Sequence, residues 1–560
     1  MTDPCNIAAA LPRMAAERPE AIAIRCPSGT RSDGSVEYGT ALSYRELEQR
    51  SDRIAAALAS AGIGRGTRTA LMVRPSPELF LLMFALFKAG AVPVLIDPGI
   101  DRRALKACLD EAAPEAFVGV PLAHAARTLL GWARRSVRVN VTVGRRWFWG
   151  GQTLAGLLDR SRDASFAMAD TQADEVAAIL FTSGSTGIPK GVVYRHRHFL
   201  AQVEMLRTAF GIEAGDVNLP TFPPFALFDP ALGLTSVIPD MDPTRPAQAD
   251  PRKLIDAIER FGVSQMFGSP ALLETLSRYG EAHRTKLGTL RRVLSAGAPV
   301  PPQVVERMQA MLPADAQIWT PYGATECLPV AIIEGRELRA TRAATEIGAG
   351  TCVGRPVPPN QVRIIAIDDA AITEWTGVRL AAAGVVGEIT VAGPSTTDEY
   401  FNRPQATALA KIVEHLPGVT SERIVHRRGD LGYFDAEGRL WFCGRKTQRL
   451  ECSNGPLYTE QVEPVFNTHP EVKRTALVGV GARGAQTPVL CVELEASVPE
   501  SSRERIEAEL LNLGARFPHT ARVQRVRFHP RFPVDIRHNA KIGREKLAAW
   551  AAQRMGKRGA

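Results

Sequence analysis

The sequence predicts an α/β protein whose large N-terminal part is built from doubly wound layers. Short apolar runs typical of buried strands alternate with helical patterns from residue 42 to residue 120. Tight turns such as Asp97-Pro98-Gly99 join them. The chain of 560 residues exceeds what one ordinary core holds, so two or more domains are expected.

The predicted elements of the first layer follow from periodicity and end signals. Residues 42–61 place apolar side chains on one helical face and stop before Gly62. Ser76 and Pro77 are typical of a helix start, and the following helix at residues 78–89 is apolar on nearly every side, which indicates burial. Further strands are predicted at residues 68–73, 91–96 and 116–120, with a helix at residues 104–112. Strand, helix and strand joined by short turns favour a parallel sheet.

Residues 177–196, AAILFTSGSTGIPKGVVYRH, combine two apolar strands with a loop rich in glycine and hydroxyl groups. Such a loop can turn backbone N–H groups and hydroxyls toward a polyphosphate. The candidate phosphate ligands are Thr182, Ser183, Gly184, Ser185, Thr186, Gly187 and Lys190. The spacing excludes a Walker A loop. A flexible surface loop is the alternative, but Pro189 beside Lys190 and a strand on each side favour a phosphate site.

The segment TSGSTGIPKG resembles the phosphate-loop signature of the acyl-adenylate-forming superfamily, which includes acyl-CoA synthetases, luciferases and peptide-synthetase adenylation domains. Residues 321–326, PYGATE, resemble the second signature of this family and follow a predicted strand at residues 318–320. Tyr322 can stack on a purine, Thr325 can bond the α-phosphate, and Glu326 can hold Mg²⁺. The resemblance implies that Thr186 also approaches the metal and that Gly323 belongs to the nucleotide site. The strand end at Gly297, Ala298 and Pro299 is similar to the element that supplies backbone against adenine.

Three further candidates come from the C-terminal third of the chain. Asp430, expected in a turn before two strands joined at residues 435–438, resembles the aspartate that accepts hydrogen bonds from both ribose hydroxyls. Arg445 matches the arginine at the interdomain junction, and Lys541 in NAKIGR resembles the catalytic lysine. The alternatives are that Asp430 is a solvated turn residue and that Lys541 is a surface lysine. Thr447 stands where the usual hinge residue is Asp or Lys.

The resemblance also implies a domain organisation. Residues 1–445 are expected to form the adenylate-forming domain, including a small β-barrel-like region around residues 353–356 and 387–389. Residues 446–560 are expected to form a small, mobile α+β lid domain that carries Lys541.

Residues 220–234, PTFPPFALFDPALGL, are rich in phenylalanine and lie where related enzymes border the acyl site. Phe222, Phe225 and Phe228 are candidates for the apolar wall of an acyl pocket. An alternative of equal weight is that these three phenylalanines are ordinary core residues.

Three longer stretches resemble the bacterial β-lactone synthetases of olefin biosynthesis: CNIAAALPRMAAERPEAIAIRCP, MVRPSPELFLLMFALFKAGAVPVLIDPGID and PTFPPFALFDP. This resemblance implies ATP and Mg²⁺ as cofactors and a 2-alkyl-3-hydroxy fatty acid as substrate. The acid is activated as an acyl-AMP, and its own hydroxyl closes the lactone without CoA. It also implies assembly with other olefin-biosynthesis enzymes. A long-chain acyl-CoA or acyl-AMP ligase and a non-catalytic scaffold remain the alternatives.

Charge, cysteine spacing and the length of apolar runs argue against several classes of partner and site. The net charge is +9, but no run of five like charges occurs, which argues against a nucleic-acid tail. The eight cysteines form no C-x-x-C pair, so neither a zinc site nor a redox motif is indicated. The longest apolar run, residues 79–87, is too short to span a bilayer. We therefore expect a cytoplasmic protein without a transmembrane segment.

Overall fold

The computed structural model of the protein describes residues 5–97, 99–161, 166–182, 189–416, 418, 422–534 and 542–555. These residues form the α/β architecture that the sequence predicts. Among them, no helix is both long enough and apolar enough to cross a bilayer.

The N-terminal part of the chain alternates strands and helices as predicted. Its elements are α1 (Ala10–Glu17), β1 (Ile22–Cys26), β2 (Gly29–Thr30), β3 (Val36–Glu37), β4 (Thr40–Ser43), α2 (Tyr44–Ser60), β5 (Arg68–Met72), α3 (Pro77–Lys88), β6 (Val92–Ile96), α4 (Arg102–Ala112), β7 (Ala116–Gly119), α5 (Pro121–Leu130), β8 (Val139–Thr142), β9 (Gln152–Thr153), α6 (Leu154–Arg160), β10 (Val176–Thr182), β11 (Lys190–Arg195) and α7 (His196–Phe210). α2 begins with a capping box, in which Ser43 and Glu46 satisfy each other's backbone N–H groups.

The middle part repeats this alternation and then becomes antiparallel. Its elements are β12 (Val217–Pro220), α8 (Asp229–Leu232), β13 (Thr235–Val237), α9 (Pro251–Phe261), β14 (Gln265–Phe267), α10 (Pro270–His283), β15 (Arg292–Leu294), α11 (Pro302–Met311), β16 (Gln317–Ala324), β17 (Cys327–Glu334), α12 (Gly335–Ala340) and α13 (Arg342–Glu346).

The remaining elements are mainly antiparallel strands, followed by a mixed C-terminal part. They are β18 (Thr351–Pro356), β19 (Gln361–Ile365), β20 (Gly387–Ala392), α14 (Pro404–Ala410), β21 (Lys411–His415), β22 (Glu422–Phe434), β23 (Leu440–Arg445), β24 (Leu450–Cys452), β25 (Gly455–Leu457), α15 (Thr459–Phe466), β26 (Val472–Val480), β27 (Thr487–Leu494), α16 (Arg503–Gly514), β28 (Val526–Phe528) and α17 (Arg544–Met555).

Two large sheets organise the described part of the chain. The first has the order β11-β10-β6-β5-β7-β8-β9 and is parallel except for the β10–β11 hairpin. The second has the order β19-β20-β22-β23-β18-β17-β16-β15-β14-β12-β13-β1-β4, with β21 beside β22. Its strands from β16 to β1 are parallel, and those from β17 to β19 are antiparallel. The largest buried cluster includes residues from α2, α3, β1 and β10, so helices shared by both sheets fill the space between them.

The β region that was predicted around residues 353–356 and 387–389 consists of β18, β19, β20, β22 and β23. β18, β19, β20, β22 and β23 extend the second sheet, and among the described residues no pairing closes them into a barrel. Because β18 pairs with both β17 and β23, this region continues the main sheet instead of standing apart from it.

Candidate functional site

The hairpin that was predicted to bind phosphate has the expected strand–loop–strand form. β10 and β11 pair antiparallel, with Thr182 opposite Lys190 and Phe181 opposite Gly191. A Cβ at Gly191 would lie 2.7 Å from the Phe181 ring, so the hairpin requires glycine there. Ser183, Gly184, Ser185, Thr186 and Gly187 lie outside the described residues, and the side chain of Thr182 is likewise not described.

Tyr400 connects this hairpin to Glu326. Residues 399–401 run along the outer edge of β11, where Val193 N–H donates to the carbonyl of Glu399 and Phe401 N–H donates to the carbonyl of Gly191. The Tyr400 hydroxyl donates to Oε1 of Glu326 at 2.6 Å. Nζ of Lys190 lies 4.8 Å from the centroid of the Tyr400 ring, which is a cation–π distance. One tyrosine therefore contacts both the candidate phosphate lysine and the candidate metal ligand.

The segment with the second signature is longer as a strand than the sequence predicts. β16 continues through Tyr322 and Gly323 to Ala324, and Thr325 and Glu326 form the two-residue turn before β17. Gly323 is needed here because a Cβ would lie 2.4 Å from a Leu328 methyl group. The Tyr194 hydroxyl of β11 donates to the carbonyl of Thr325, which joins the two sheets at this turn.

A second cation, Lys411, is buried behind Glu326. Its Nζ donates to the carbonyl and to the hydroxyl of Thr397. Thr397 in turn donates its N–H and its hydroxyl to the carbonyl of Glu326. Burial lowers the pKa of Lys411 to about 8, although the charge of Glu326 opposes this shift. Lys411 therefore places a buried positive charge close enough to Glu326 for the two charges to interact.

Asp430 lies within β22, so the predicted turn is wrong, and it is buried, which contradicts the alternative of a solvated turn aspartate. The Tyr322 hydroxyl donates to its Oδ2 at 2.6 Å, and Nη1 of Arg445 lies 2.8 Å from its Oδ1 as an ion pair. Nε of Arg428 lies 3.5 Å from Oδ2 and donates to the Tyr322 hydroxyl at 3.1 Å. Burial raises the pKa of Tyr322, which keeps its hydroxyl a donor. The structure therefore brings together the predicted residues Tyr322, Asp430 and Arg445.

Two buried polar atoms of this region have no hydrogen-bond partner within the described part of the chain. They are Nη1 of Arg428 and Oγ of Ser295, which follows β15. Buried polar groups are normally satisfied, so unsatisfied ones indicate a missing polar ligand. Gly297, Ala298 and Pro299 begin two positions after Ser295, at the carboxyl end of a parallel strand, where α/β sheets bind ligands. Oxygen and nitrogen atoms of this kind fit the hydroxyls and ring nitrogens of a nucleoside.

The three candidate acyl-site phenylalanines are half-buried and belong to two ring clusters. The ring centroid of Phe225 lies 5.2 Å from that of Phe222 and 4.5 Å from that of Phe267 at the end of β14. The Phe228 ring instead lies 6.0 Å from Phe199 of α7. The three residues follow the carboxyl end of β12, and β14 lies between this strand and β15, which precedes the predicted adenine segment. They pack as core aromatics, and each also keeps a partly exposed face.

Lys541 lies outside the described residues, but both ends of its segment are described. Val534 pairs with Ile542, and Gly543 N–H donates to the carbonyl of Pro533 at 2.7 Å, so the described residues on the two sides of Lys541 lie together. Nε of Arg544 donates to Gln448 at 3.2 Å. Gln448 is three residues beyond Arg445, so the base of this segment lies against the junction that follows the nucleotide cluster.

Sequence reasoning missed three residues of the site: Tyr400, Lys411 and Arg428. Arg428 stands two positions before Asp430, and its proximity to a predicted ligand was the available signal. Tyr400 and Lys411 reach Glu326 from more than 70 residues away, which no local pattern reveals. His196 and His198 are buried and accept hydrogen bonds from backbone N–H groups, as expected of structural histidines.

Comparison with known proteins adds three findings. The family described as AMP-binding enzyme matches residues 11–401. The olefin β-lactone synthetase of Xanthomonas campestris pv. campestris is 68% identical over 99% of this chain and 98% of its own, and that of Stenotrophomonas maltophilia is 66% identical over the full length of both. The structure of Bacillus subtilis O-succinylbenzoate coenzyme A synthetase with ATP and magnesium ion superposes with a TM-score of 0.71 at 20% identity, covering 96% of this chain and 98% of that one.

Proposed function

The chain belongs to the AMP-binding enzyme family, and on this premise we propose that it is an ATP-dependent olefin β-lactone synthetase. The observation that carries the proposal is full-length identity of 66–68% to two synthetases of that name. The substrate is a 2-alkyl-3-hydroxy fatty acid, and the product is a β-lactone with two alkyl substituents. The enzyme acts in long-chain olefin biosynthesis.

The reaction has two steps that share one nucleotide site. A carboxylate oxygen of the fatty acid attacks the α-phosphorus of ATP, the bond to the β-phosphate oxygen breaks, and pyrophosphate leaves. The 3-hydroxyl oxygen then attacks the acyl carbon, the bond to AMP breaks, and the hydroxyl proton is released as the four-membered ring closes. Because nucleophile and electrophile belong to one molecule, the second step has a large proximity advantage and needs no CoA.

The nucleoside is held by the second sheet. We assign the ribose hydroxyls to Asp430, whose charge is fixed by Arg445 and Arg428. Tyr322 and Gly323 border the purine, together with the backbone of Gly297, Ala298 and Pro299. The unsatisfied atoms of Arg428 and Ser295 support this assignment, because a bound nucleoside offers partners for them.

The phosphates are held by the first sheet and by the turn at Glu326. Thr182, Ser183, Gly184, Ser185, Thr186 and Gly187 bind the polyphosphate with their N–H and hydroxyl groups, and Thr325 bonds the α-phosphate. Lys190 and Lys541 balance the charge that develops on the transferring oxygens. Glu326 and Thr186 would hold Mg²⁺, which when bound neutralises the leaving pyrophosphate. Among the described residues, Oε1 of Glu326 accepts from Tyr400 and Oε2 accepts no hydrogen bond, so Oε2 suits such a ligand.

We further propose that Phe222, Phe225 and Phe228 line the acyl site and that residues 446–560 act as a lid. The elements β24–β28, α15 and α16 contribute to a buried cluster of their own, which supports a separate C-terminal unit. The cysteines are all free thiols, which suits the reducing cytoplasm. The resemblance to olefin enzymes leads us to propose assembly with other enzymes of that pathway, which co-purification of the full chain would test.

Product analysis tests the proposed reaction. The full chain is incubated with ATP, Mg²⁺ and a 2-alkyl-3-hydroxy fatty acid, with and without CoA, and the products are identified by mass spectrometry. We expect a β-lactone and AMP in both samples. An acyl-CoA product that forms only when CoA is present would identify a CoA ligase instead.

Replacing Lys541 tests the role of the C-terminal loop. We expect Lys541→Ala to abolish adenylation, measured by pyrophosphate release, and to leave the unfolding temperature unchanged. Lys546→Ala is the matched control, because Lys546 is an exposed lysine of α17 five positions further on. Undiminished pyrophosphate release from the Lys541 variant would contradict the role.

A further inference from the structure

An exposed apolar strip runs along α5 and the segment between β8 and β9. Its side chains are unusually open to solvent: Leu129 is 76% exposed, Phe148 64%, Leu122 63%, Trp147 52% and Leu130 45%. Large aromatic and aliphatic side chains that cluster on a surface mark an interaction site. None of these residues belongs to the nucleotide or acyl site.

Trp149 fixes the geometry of the strip. It is buried, its ring stacks on His124 of α5 at 5.3 Å, and its indole N–H donates to Thr142 at 3.0 Å. The rings of Trp147 and Phe148 lie 5.3 and 5.2 Å from the Trp149 ring. The anchored indole therefore holds its two exposed neighbours against α5.

The exposed leucines continue the strip along the helix. Leu122 and Leu129 are seven residues apart, so they lie on the same face of α5. Leu122 belongs to the turn of α5 that also carries His124, and Leu129 and Leu130 belong to its last turn. The exposed leucines thus lie at both ends of α5, and the first turn of this helix also holds the Trp149 ring through His124.

The surroundings of the strip are strongly basic. Residues 116–158 contain six arginines and no aspartate or glutamate, against a net charge of +9 for the whole chain. Five of these arginines are exposed: Arg134, Arg135, Arg138, Arg145 and Arg146. Neighbouring acidic groups are already engaged, since Asp110 binds Lys106 and the N–H of Ala133, and Glu115 pairs with Arg68.

We propose that this strip docks the enzyme on the surface of an anionic lipid bilayer. Exposed tryptophan and phenylalanine beside leucine are suited to the interface between headgroups and acyl chains, and arginines bind the lipid phosphates. The complete lack of acidic side chains over 43 residues favours a uniformly negative surface over a protein, whose surfaces carry both signs of charge. β8 and β9 lie at the opposite edge of the first sheet from the β10–β11 hairpin, so docking leaves the phosphate site open.

Vesicle co-sedimentation of the full chain tests the proposal. We expect association with vesicles of phosphatidylglycerol and phosphatidylcholine, weakening as salt is added, and little association with pure phosphatidylcholine. Absence of binding to the anionic vesicles would overturn the proposal.

Two pairs of substitutions separate the apolar and the charged contributions. Trp147→Ser with Phe148→Ser, and Arg145→Gln with Arg146→Gln, should each weaken binding about tenfold or more. The matched controls are Leu380→Ser with Val385→Ser, 60% and 53% exposed, and the exposed pair Arg516→Gln with Arg525→Gln. All four variants should keep the unfolding temperature and pyrophosphate release of the unchanged chain.

Equal losses in test and control pairs would show that binding is not located at the strip, which contradicts the proposal. Sedimentation velocity provides the other decisive readout. If the strip variants change the oligomeric mass of the protein and leave vesicle binding intact, the strip is a protein interface and the proposal is wrong.

Discussion

Two aspartates, Asp430 in β22 and Asp229 in α8, are each only 2% exposed, but their carboxyl groups contact different kinds of partner. Asp430 faces two guanidinium groups and a tyrosine hydroxyl. Within the described part of the chain, the Asp229 carboxyl accepts hydrogen bonds from two neutral groups, the amide of Asn218 at 2.9 Å and the hydroxyl of Ser236. Burial raises the pKa of Asp229 to about 7. Neutral donors surround one buried carboxyl group, whereas guanidinium groups and a tyrosine hydroxyl surround the other.

The largest expected effect is on the charged member of this comparison. Asp430→Asn leaves Arg428 and Arg445 without their counter-charge and removes a ribose acceptor, so we expect ATP–pyrophosphate exchange to fall about 1,000-fold, roughly 4 kcal/mol. The same substitution at Asp229 should change exchange less than about threefold. Similar losses at both positions would show that burial alone, and not the guanidinium partners, determines the effect.

The next largest effect is a dependence of folding stability on pH, which we expect Asp229 to cause. Its pKa in the folded state, about 7, lies above the ordinary value of 3.8, so the folded protein binds a proton that the unfolded chain releases. Stability should therefore fall as the pH rises from about 5 to 7.5, by about 2.5 kcal/mol from this group. Thermal unfolding of the unchanged chain and of Asp229→Asn over this range measures the difference. A constant gap between the two unfolding temperatures would contradict the assignment.

The smallest effect is expected at the hydroxyl that bridges Arg428 and Asp430. Tyr322→Phe removes one buried hydrogen bond to a charged group and keeps the ring, so the KM for ATP should rise about tenfold, with little change in kcat. Tyr433→Phe is the control, since the Tyr433 hydroxyl donates to the carbonyl of Ala349 at 3.0 Å, outside the nucleotide cluster. An unchanged KM in the Tyr322 variant would show that this hydroxyl does not contribute to the proposed ribose site.

The sequence was sufficient for elements with strong local signals. The helix at residues 44–60 has its capping box and its apolar face in the sequence, and the hairpin around Lys190 is framed by two apolar runs. Prediction failed where strand residues have low strand propensity. β16 runs through Pro321 and Gly323, and β22 through Gly429 and Asp430, because cross-strand partners hold them. The contacts of Tyr400 and Lys411 with the Glu326 turn depend on tertiary pairing, which local patterns do not encode.

The short segment at residues 399–401 has one further consequence for the molecule. It is hydrogen-bonded to the edge of β11 on one side and touches Glu326 through Tyr400 on the other. Occupation of the triphosphate site should therefore slow deuterium uptake at the amides of Val193 and Phe401, far along the chain from the second signature. These two amides serve as a built-in reporter of nucleotide occupancy, one that can be read without following turnover.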